Sequence, residues 1–195
     1  MIQDDWILRM IQAAVVALAR LRSGEQTPDQ AVPGALLAVT GLGEKVRDRM
    51  PAELLFDMLC AGVEGPSKAL VTGALLAHQA TTTHRKEQAL TLLTGAGVEV
   101  EVPEVETAAL IERLLNEVSP GSIPPRLHRR LFLWFVHHGE LDRADDYLHA
   151  AGPLPGLRAE ARGVLEPLRG WSPRRLAAGG WSRTELEDVL RELDG

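Results

Sequence analysis

Residues 126–155 read RLHRRLFLWFVHHGELDRADDYLHAAGPLP and predict the fold most directly. Leu131 and Phe135 lie four residues apart, which is the spacing of neighbours on one face of an α-helix. Gly139 suits a left-handed helix end. A second helix is predicted by the spacing of Ala144, Leu148 and Ala151. The first helix, 126–138, is apolar nearly all round from Leu131 to Val136, so we expect it to be the most buried helix.

This hairpin, Arg126–Pro155, resembles a tetratricopeptide unit, a helix–turn–helix with large residues on its first helix and an alanine four residues before an aromatic residue on its second. The turn from Gly139 to Asp142 is similar to the family's turn, and Pro155 lies where a closing proline is expected. Phe132 departs from the family, which prefers a small residue there, and His128 replaces the usual aromatic. The resemblance implies antiparallel helical hairpins in a short solenoid or bundle.

The N-terminal segment 1–22 is predicted to be one helix that stops at Ser23-Gly24. Its predicted apolar stripe is Trp6, Met10, Ala14, Ala17 and Leu21. The uncharged run between Arg9 and Arg20 is shorter than the about 20 residues that span a bilayer, so we expect no membrane span. Residues 3–11 also resemble the start of a group of uncharacterised small bacterial helical proteins with a similar hairpin, which implies no activity. The apolar helix leaves a homodimer open.

The remaining chain is predicted to be helical too, giving an all-α single domain over 1–195. Residues 23–50 are interpreted as a linker with a short helix at 35–39, and 51–97 as helical hairpins. In that region Pro51 is expected at a first helical position and Ser67 at an N-cap. The alternating residues 98–102 are interpreted as part of a connector, 98–106, because a lone strand has no partner. Residues 107–195 are predicted to be repeat-like helices, the last opened by a Ser182–Glu185 capping box.

Composition and charge exclude several classes of protein. Of 195 residues, 45% are hydrophobic, 25% are charged and only 4% are aromatic, with a net charge of −6. The acidic balance argues against whole-chain affinity for nucleic acid or anionic lipid. The single cysteine, Cys60, permits no intrachain disulfide and is expected to be a buried, inert thiol. We therefore expect a cytoplasmic protein.

Residue patterns that carry catalysis are missing from the sequence. It contains neither an H-E-x-x-H pair nor a G-x-S-x-G elbow, and Gly41–Lys45 lacks the spacing of a phosphate loop. His138 and Asp142 could face each other across the Gly139 turn, which keeps a metal-dependent helical enzyme as the weakest alternative. We predict no catalytic residues, no metal and no cofactor.

A basic segment, 126–175, interrupts the acidic chain. Within 151–180, five arginines stand against two glutamates. This segment could grip RNA phosphates or the carboxylate of an acidic peptide, or its arginines could pair with the acidic C-terminal helix. Our leading hypothesis is a non-catalytic protein- or peptide-binding module, and the alternative is a nucleic-acid-binding regulator. The predicted contact residues are Arg129, Arg130, Trp134 and His138.

Overall fold

The computed structural model describes residues 2–62, 64–103 and 105–194, with the side chains of 2–7 and 120 excepted. These residues form twelve α-helices and two short 3₁₀ segments, and no β-strand occurs among them, so the all-α prediction is confirmed. The helices are α1 (Ile2–Arg22), α2 (Pro28–Thr40), α3 (Glu44–Arg47), α4 (Ala52–Cys60), α5 (Gly65–Gln79), α6 (Thr83–Ala96), α7 (Thr107–Glu117), α8 (Pro125–His138), α9 (Leu141–Ala151), α10 (Leu157–Leu165), α11 (Pro173–Ala178) and α12 (Arg183–Asp194). The 3₁₀ segments are Pro120–Ser122 and Glu166–Gly170.

The chain divides into two compact units, residues 1–122 and residues 123–195. We call them the N-terminal unit and the C-terminal unit. The prediction of a single domain over the whole chain stays a prediction.

Helices α5 and α6 form the centre of the N-terminal unit. α5 packs against α1, α2, α4, α6 and α7, and every residue from Ala69 to Ala77 is buried. Gly73 lets α6 approach closely, because a Cβ atom at this position would lie 2.9 Å from the Cβ of Leu92. The expectation that α8 is the most buried helix is wrong. Ten of the fifteen residues of α5 are buried against seven of fourteen in α8, since α5 is surrounded by other helices.

Helix α1 ends at Arg22 as predicted, but its buried stripe is shifted. Met10, Ala14 and Leu18 face the core at intervals of four residues. The predicted stripe shares Met10 and Ala14 with the buried one but continues with Ala17 and Leu21, which are only half-buried. The side chain of Trp6 lies outside the described residues.

The interpretation of residues 24–34 as a linker or loop is wrong, because α2 already begins at Pro28. Thr27 precedes the helix, and its backbone N–H donates to Oε1 of Gln30 at 3.2 Å. Pro33 lies inside the helix, where it removes one backbone hydrogen bond. The helix continues because Val32 and Leu36 are completely buried. It ends at Gly41, which is left-handed with φ of +68°.

Two predicted helix starts are displaced, one by a single residue and the other by three. Pro51 directly precedes α4, and α5 begins at Gly65, so Ser67 lies within the first turn rather than at the N-cap. The predicted apolar face of α4 is only partly buried, with Leu54 54% exposed and Met58 36% exposed. Cys60 is half-buried rather than buried. The described residues of the connector contain no strand, and α7 follows it as predicted.

The C-terminal unit is built around the predicted hairpin of α8 and α9. Gly139, with φ of +76°, ends α8. The backbone N–H of Leu141 donates to the carbonyl oxygen of Gly179 at 2.8 Å, which ties the start of α9 to the turn after α11. Helix α12 packs against α10 and opens with the predicted capping box. Ser182 N–H donates to Oε2 of Glu185 at 2.5 Å, and Glu185 N–H donates to Ser182 Oγ at 3.2 Å.

Candidate binding groove

Three of the four predicted contact residues share one face of α8. Arg130, Trp134 and His138 follow each other at intervals of four residues. Trp134 is only 3% exposed, and the His138 imidazole lies over its ring with the centroids 3.7 Å apart. His138 Nδ1 is 2.9 Å from the carbonyl oxygen of Trp134, so a proton on Nδ1 is donated to the backbone. The indole therefore supports His138 from below and offers little surface of its own.

Arg129, the fourth predicted contact residue, is directed toward α10. Its Nε donates to Oε2 of Glu160 at 2.5 Å and its Nη2 donates to Oε1 at 2.7 Å. This two-pronged geometry uses the planar fork that distinguishes arginine from lysine. The guanidinium of Arg129 thus already holds a carboxylate from its own chain.

Other arginines of the basic segment also pair within the chain. Arg169 Nη2 lies 2.6 Å from Oε2 of Glu187 on α12, and Arg162 pairs with Asp194 at the end of the same helix. The expected pairing with the acidic C-terminal helix is confirmed for these two arginines. Among the described residues, by contrast, Arg126, Arg158, Arg174 and Arg175 form no ion pair, and the guanidinium of Arg175 lies over the ring of Trp171.

An open groove of about 540 Å³ lies in the C-terminal unit, between the end of α9, the turn that follows it, the start of α10 and the second half of α12. We call it the C-terminal groove. Its apolar lining consists of Leu148, Leu154, Leu157, Val189 and Leu193, and its polar lining includes His149, Arg158 and Glu192.

The groove exists because the apolar faces of α9 and α12 are wider than the core that covers them. On α9, Ala144 and Ala151 are buried while Leu148 is half-buried. On α12, Leu186 and Leu190 are buried, whereas Val189 and Leu193 are half-buried. Side chains at the margin of each apolar stripe therefore line the groove rather than the core.

Two glycines turn the chain between α9 and α10, and the first of them, Gly152, lines the groove. Gly152, with φ of +64°, follows α9, and Gly156, with φ of +76°, precedes α10. Both conformations are disfavoured for residues with a side chain. They let the chain fold back within five residues, which places Leu154 between the two helices that frame the groove.

The electrostatics of the groove centre on His149. Its Nδ1–H donates to the carbonyl oxygen of Asp145 at 3.0 Å, and this hydrogen bond raises the pKa of His149. The carboxylates of Asp145 and Glu192 raise the pKa further, while partial burial opposes them. Burial also raises the pKa of Asp145. The groove rim thus carries one permanent cation, Arg158, one carboxylate, Glu192, and one imidazole that charges readily.

Sequence reasoning missed this groove, although its parts are visible in the sequence. Leu186, Val189, Leu190 and Leu193 repeat along α12 at helical spacing, but this pattern does not show how much of the apolar stripe neighbouring helices cover. The signal that could have indicated the groove is Gly152-Pro153-Leu154-Pro155-Gly156, a turn with one large apolar residue at its centre.

The metal-dependent alternative required histidines and acids to converge. Within residues 2–62, 64–103 and 105–194, no group of three His, Cys, Asp or Glu side chains is placed to hold a metal ion. Asp142, the expected partner of His138, instead lies against Gly180, while His138 stacks on Trp134.

Among the described helices, none combines the length and the apolar character that a bilayer crossing requires. No family model matches the chain, and comparisons with curated proteins and with solved structures found no similar one.

Proposed function

We propose that this protein is a non-catalytic peptide-binding protein and that the C-terminal groove holds a short peptide. The observation that supports this proposal is the groove itself, which combines a half-exposed aliphatic lining with a cation at its rim. The peptide should present a large aliphatic or aromatic side chain next to a carboxylate. The side chain would pack on Leu148, Val189 and Leu193, and the carboxylate would pair with Arg158.

The energetics of such a complex follow from the lining. Covering about 100 Å² of apolar surface contributes about 2.5 kcal/mol, so the aliphatic lining supplies the affinity. The rim supplies orientation, because Arg158 attracts a carboxylate while Glu192 repels one and accepts peptide N–H groups. A peptide with its acidic residue on the wrong side of the apolar anchor should therefore bind weakly.

The hairpin of α8 and α9 also supports a binding function. We propose that it is a tetratricopeptide-like unit, and repeat folds of that class bind partners through side-chain surfaces rather than through reactive groups. Arg129, Arg130, Trp134 and His138 form a second proposed contact surface, centred on Arg130 and His138. A cytoplasmic location and self-association are also proposals, the latter supported by the exposed Leu8 and Val16 of α1.

The test is selection of peptides from a random phage-displayed library on the immobilised full chain, followed by titration calorimetry with synthetic versions of the enriched sequences. We expect the enriched sequences to share an aliphatic or aromatic residue beside Asp or Glu. Arg158→Glu should weaken binding by about tenfold or more, and Leu193→Asp should abolish it.

Arg174→Glu is the matched control, because Arg174 is exposed on α11, forms no ion pair with described residues and does not line the groove. The same change of charge there should leave affinity unaltered. If Arg158→Glu and Arg174→Glu lose peptide affinity equally, the loss is caused by the change in overall charge, which contradicts the proposal. If the double variant Arg130→Glu, His138→Ala loses peptide affinity and Arg158→Glu does not, the peptide binds at the α8 surface instead of the groove.

A further inference from the structure

The N-terminal unit contains a separate cavity of about 240 Å³ at the ends of α1 and α5, beside the start of α7. We call it the α1–α7 pocket. Leu18, Val105 and Leu110 contribute its apolar wall. Four polar side chains line it as well, namely Arg22, His78, Glu106 and Arg113. None of these residues belongs to the C-terminal groove.

The two guanidinium groups keep donors that the protein does not use. Arg22 Nη1 donates to Oε1 of Glu106 at 3.2 Å, and both side chains are exposed. Arg113 Nη2 donates to the carbonyl oxygen of Ala77 at 2.7 Å, in the last turn of α5. A guanidinium carries five N–H donors, so each arginine can still bind an oxyanion in the pocket.

The charge balance of the pocket favours an anion. Burial and the charge of Arg113 lower the pKa of His78, which makes its neutral form the dominant one near pH 7. Two arginines then face one carboxylate, and the lining carries one positive charge in excess. That excess stands out in a chain whose net charge is −6.

We propose that the α1–α7 pocket binds a small organic monoanion with a short aliphatic tail, its carboxylate held by Arg22 and Arg113 and its tail packed on Leu18, Val105 and Leu110. The volume supports a small ligand, because pockets for drug-sized molecules occupy about 300–1,000 Å³. A chain of a few carbon atoms fits, whereas a long fatty acid does not. In the absence of such a ligand, Glu106 supplies Arg22 with an internal carboxylate.

Glu106 gives the proposal a sharp test, because it competes with the ligand for Arg22. Binding of hexanoate to the full chain is to be followed by NMR titration, with hexanol and hexylamine as probes of the same tail and different charge. We expect saturable hexanoate-induced shifts at residues of the pocket. Hexanol should bind about tenfold more weakly, since it loses a charge-assisted contact. Hexylamine should not bind.

The variants should separate ligand binding from stability. Glu106→Gln should tighten hexanoate binding several-fold, because Arg22 is released, whereas Arg22→Gln should weaken it about tenfold. Both variants remove the same exposed ion pair, so a purely structural role would lower the melting temperature similarly in each and leave hexanoate binding alone. Glu99→Gln, in the exposed connector, removes the same charge outside the pocket and should leave hexanoate affinity unchanged.

Three results would overturn the proposal. They are the absence of saturable shifts with hexanoate, equal binding of hexanol, and a Glu106→Gln variant that binds hexanoate no more tightly than Glu99→Gln. Arg113→Gln is a less decisive variant because it also removes the hydrogen bond from Arg113 to the carbonyl oxygen of Ala77. Its melting temperature must therefore be measured together with its affinity for hexanoate.

Discussion

Replacement of Gly73 by alanine tests the closest helix contact of the N-terminal unit. A Cβ atom there would lie 2.9 Å from the Cβ of Leu92 and 3.1 Å from both Cγ and the backbone nitrogen of Leu93. Alanine is favoured over glycine inside a helix by about 1 kcal/mol. Overpacking a buried site costs about 1–3 kcal/mol, and the cost here should be at the upper end because one contacted atom is backbone. The net expectation is a loss of about 1–2 kcal/mol in the free energy of unfolding.

Gly34→Ala provides a matched control in the same unit. Gly34 lies inside α2, and a Cβ atom there meets nothing within 4 Å. This variant gains helix propensity without a clash and should be more stable by about 0.5–1 kcal/mol. Denaturant unfolding of both variants and the unaltered chain, followed by far-UV circular dichroism, gives the two free-energy changes. If Gly73→Ala is as stable as Gly34→Ala, α5 and α6 do not approach as closely as the structure has them.

Three further perturbations concern the C-terminal unit. A double-mutant cycle of Arg129→Gln and Glu160→Gln should give a coupling of about 1 kcal/mol that falls with added salt; a coupling near zero would contradict the two-pronged contact. Ser182→Ala should cost about 1 kcal/mol in thermal or denaturant unfolding, and an unchanged stability would mean that the capping box contributes nothing. The pKa of His149 is raised in the folded chain, so its contribution to stability is complete below the ordinary pKa of 6.5 and disappears as the pH rises through the folded value. His149→Gln should flatten that pH dependence, and an NMR titration that places the pKa below 6.5 would refute it.

A local signal was enough to predict two helix ends, although the starts predicted at Pro51 and Ser67 were displaced. Gly139 ends α8 and the Ser182–Glu185 box opens α12, as the sequence indicates. These features depend on backbone groups within a few residues, so a short stretch of sequence contains all the necessary information. Pro33 shows the limit of such reasoning. Its local preference against a helix interior is overridden by burial of Val32 and Leu36, which depends on contacts with distant residues.

The candidate site was harder to predict because exposure is a property of the whole unit. Trp134 and His138 were predicted as contact residues, but the sequence does not show that the two rings stack, with their centroids 3.7 Å apart, or that Trp134 is buried. Likewise, the sequence does not show that Arg129 pairs with Glu160, because Glu160 lies 31 positions further along the chain and only the packing of α10 brings the two side chains together. Val189 and Leu193 have the spacing of residues that face a core, but they line the groove because neighbouring elements leave them half-buried.

The pairing of arginines also limits what the basic segment can do with nucleic acid. Arg129, Arg162 and Arg169 already hold carboxylates, so phosphates would have to displace them. Four arginines of the segment, at positions 126, 158, 174 and 175, form no ion pair with described residues, and Arg175 stacks on the ring of Trp171. Neutralising four phosphates gives a slope of log affinity against log salt of about −3 to −4. A steeper slope in a filter-binding or fluorescence-anisotropy titration with RNA would mean that the internal pairs open. Binding without salt dependence would mean that phosphates are not contacted at all, and a groove that recognises a peptide side chain would then account for the basic segment better.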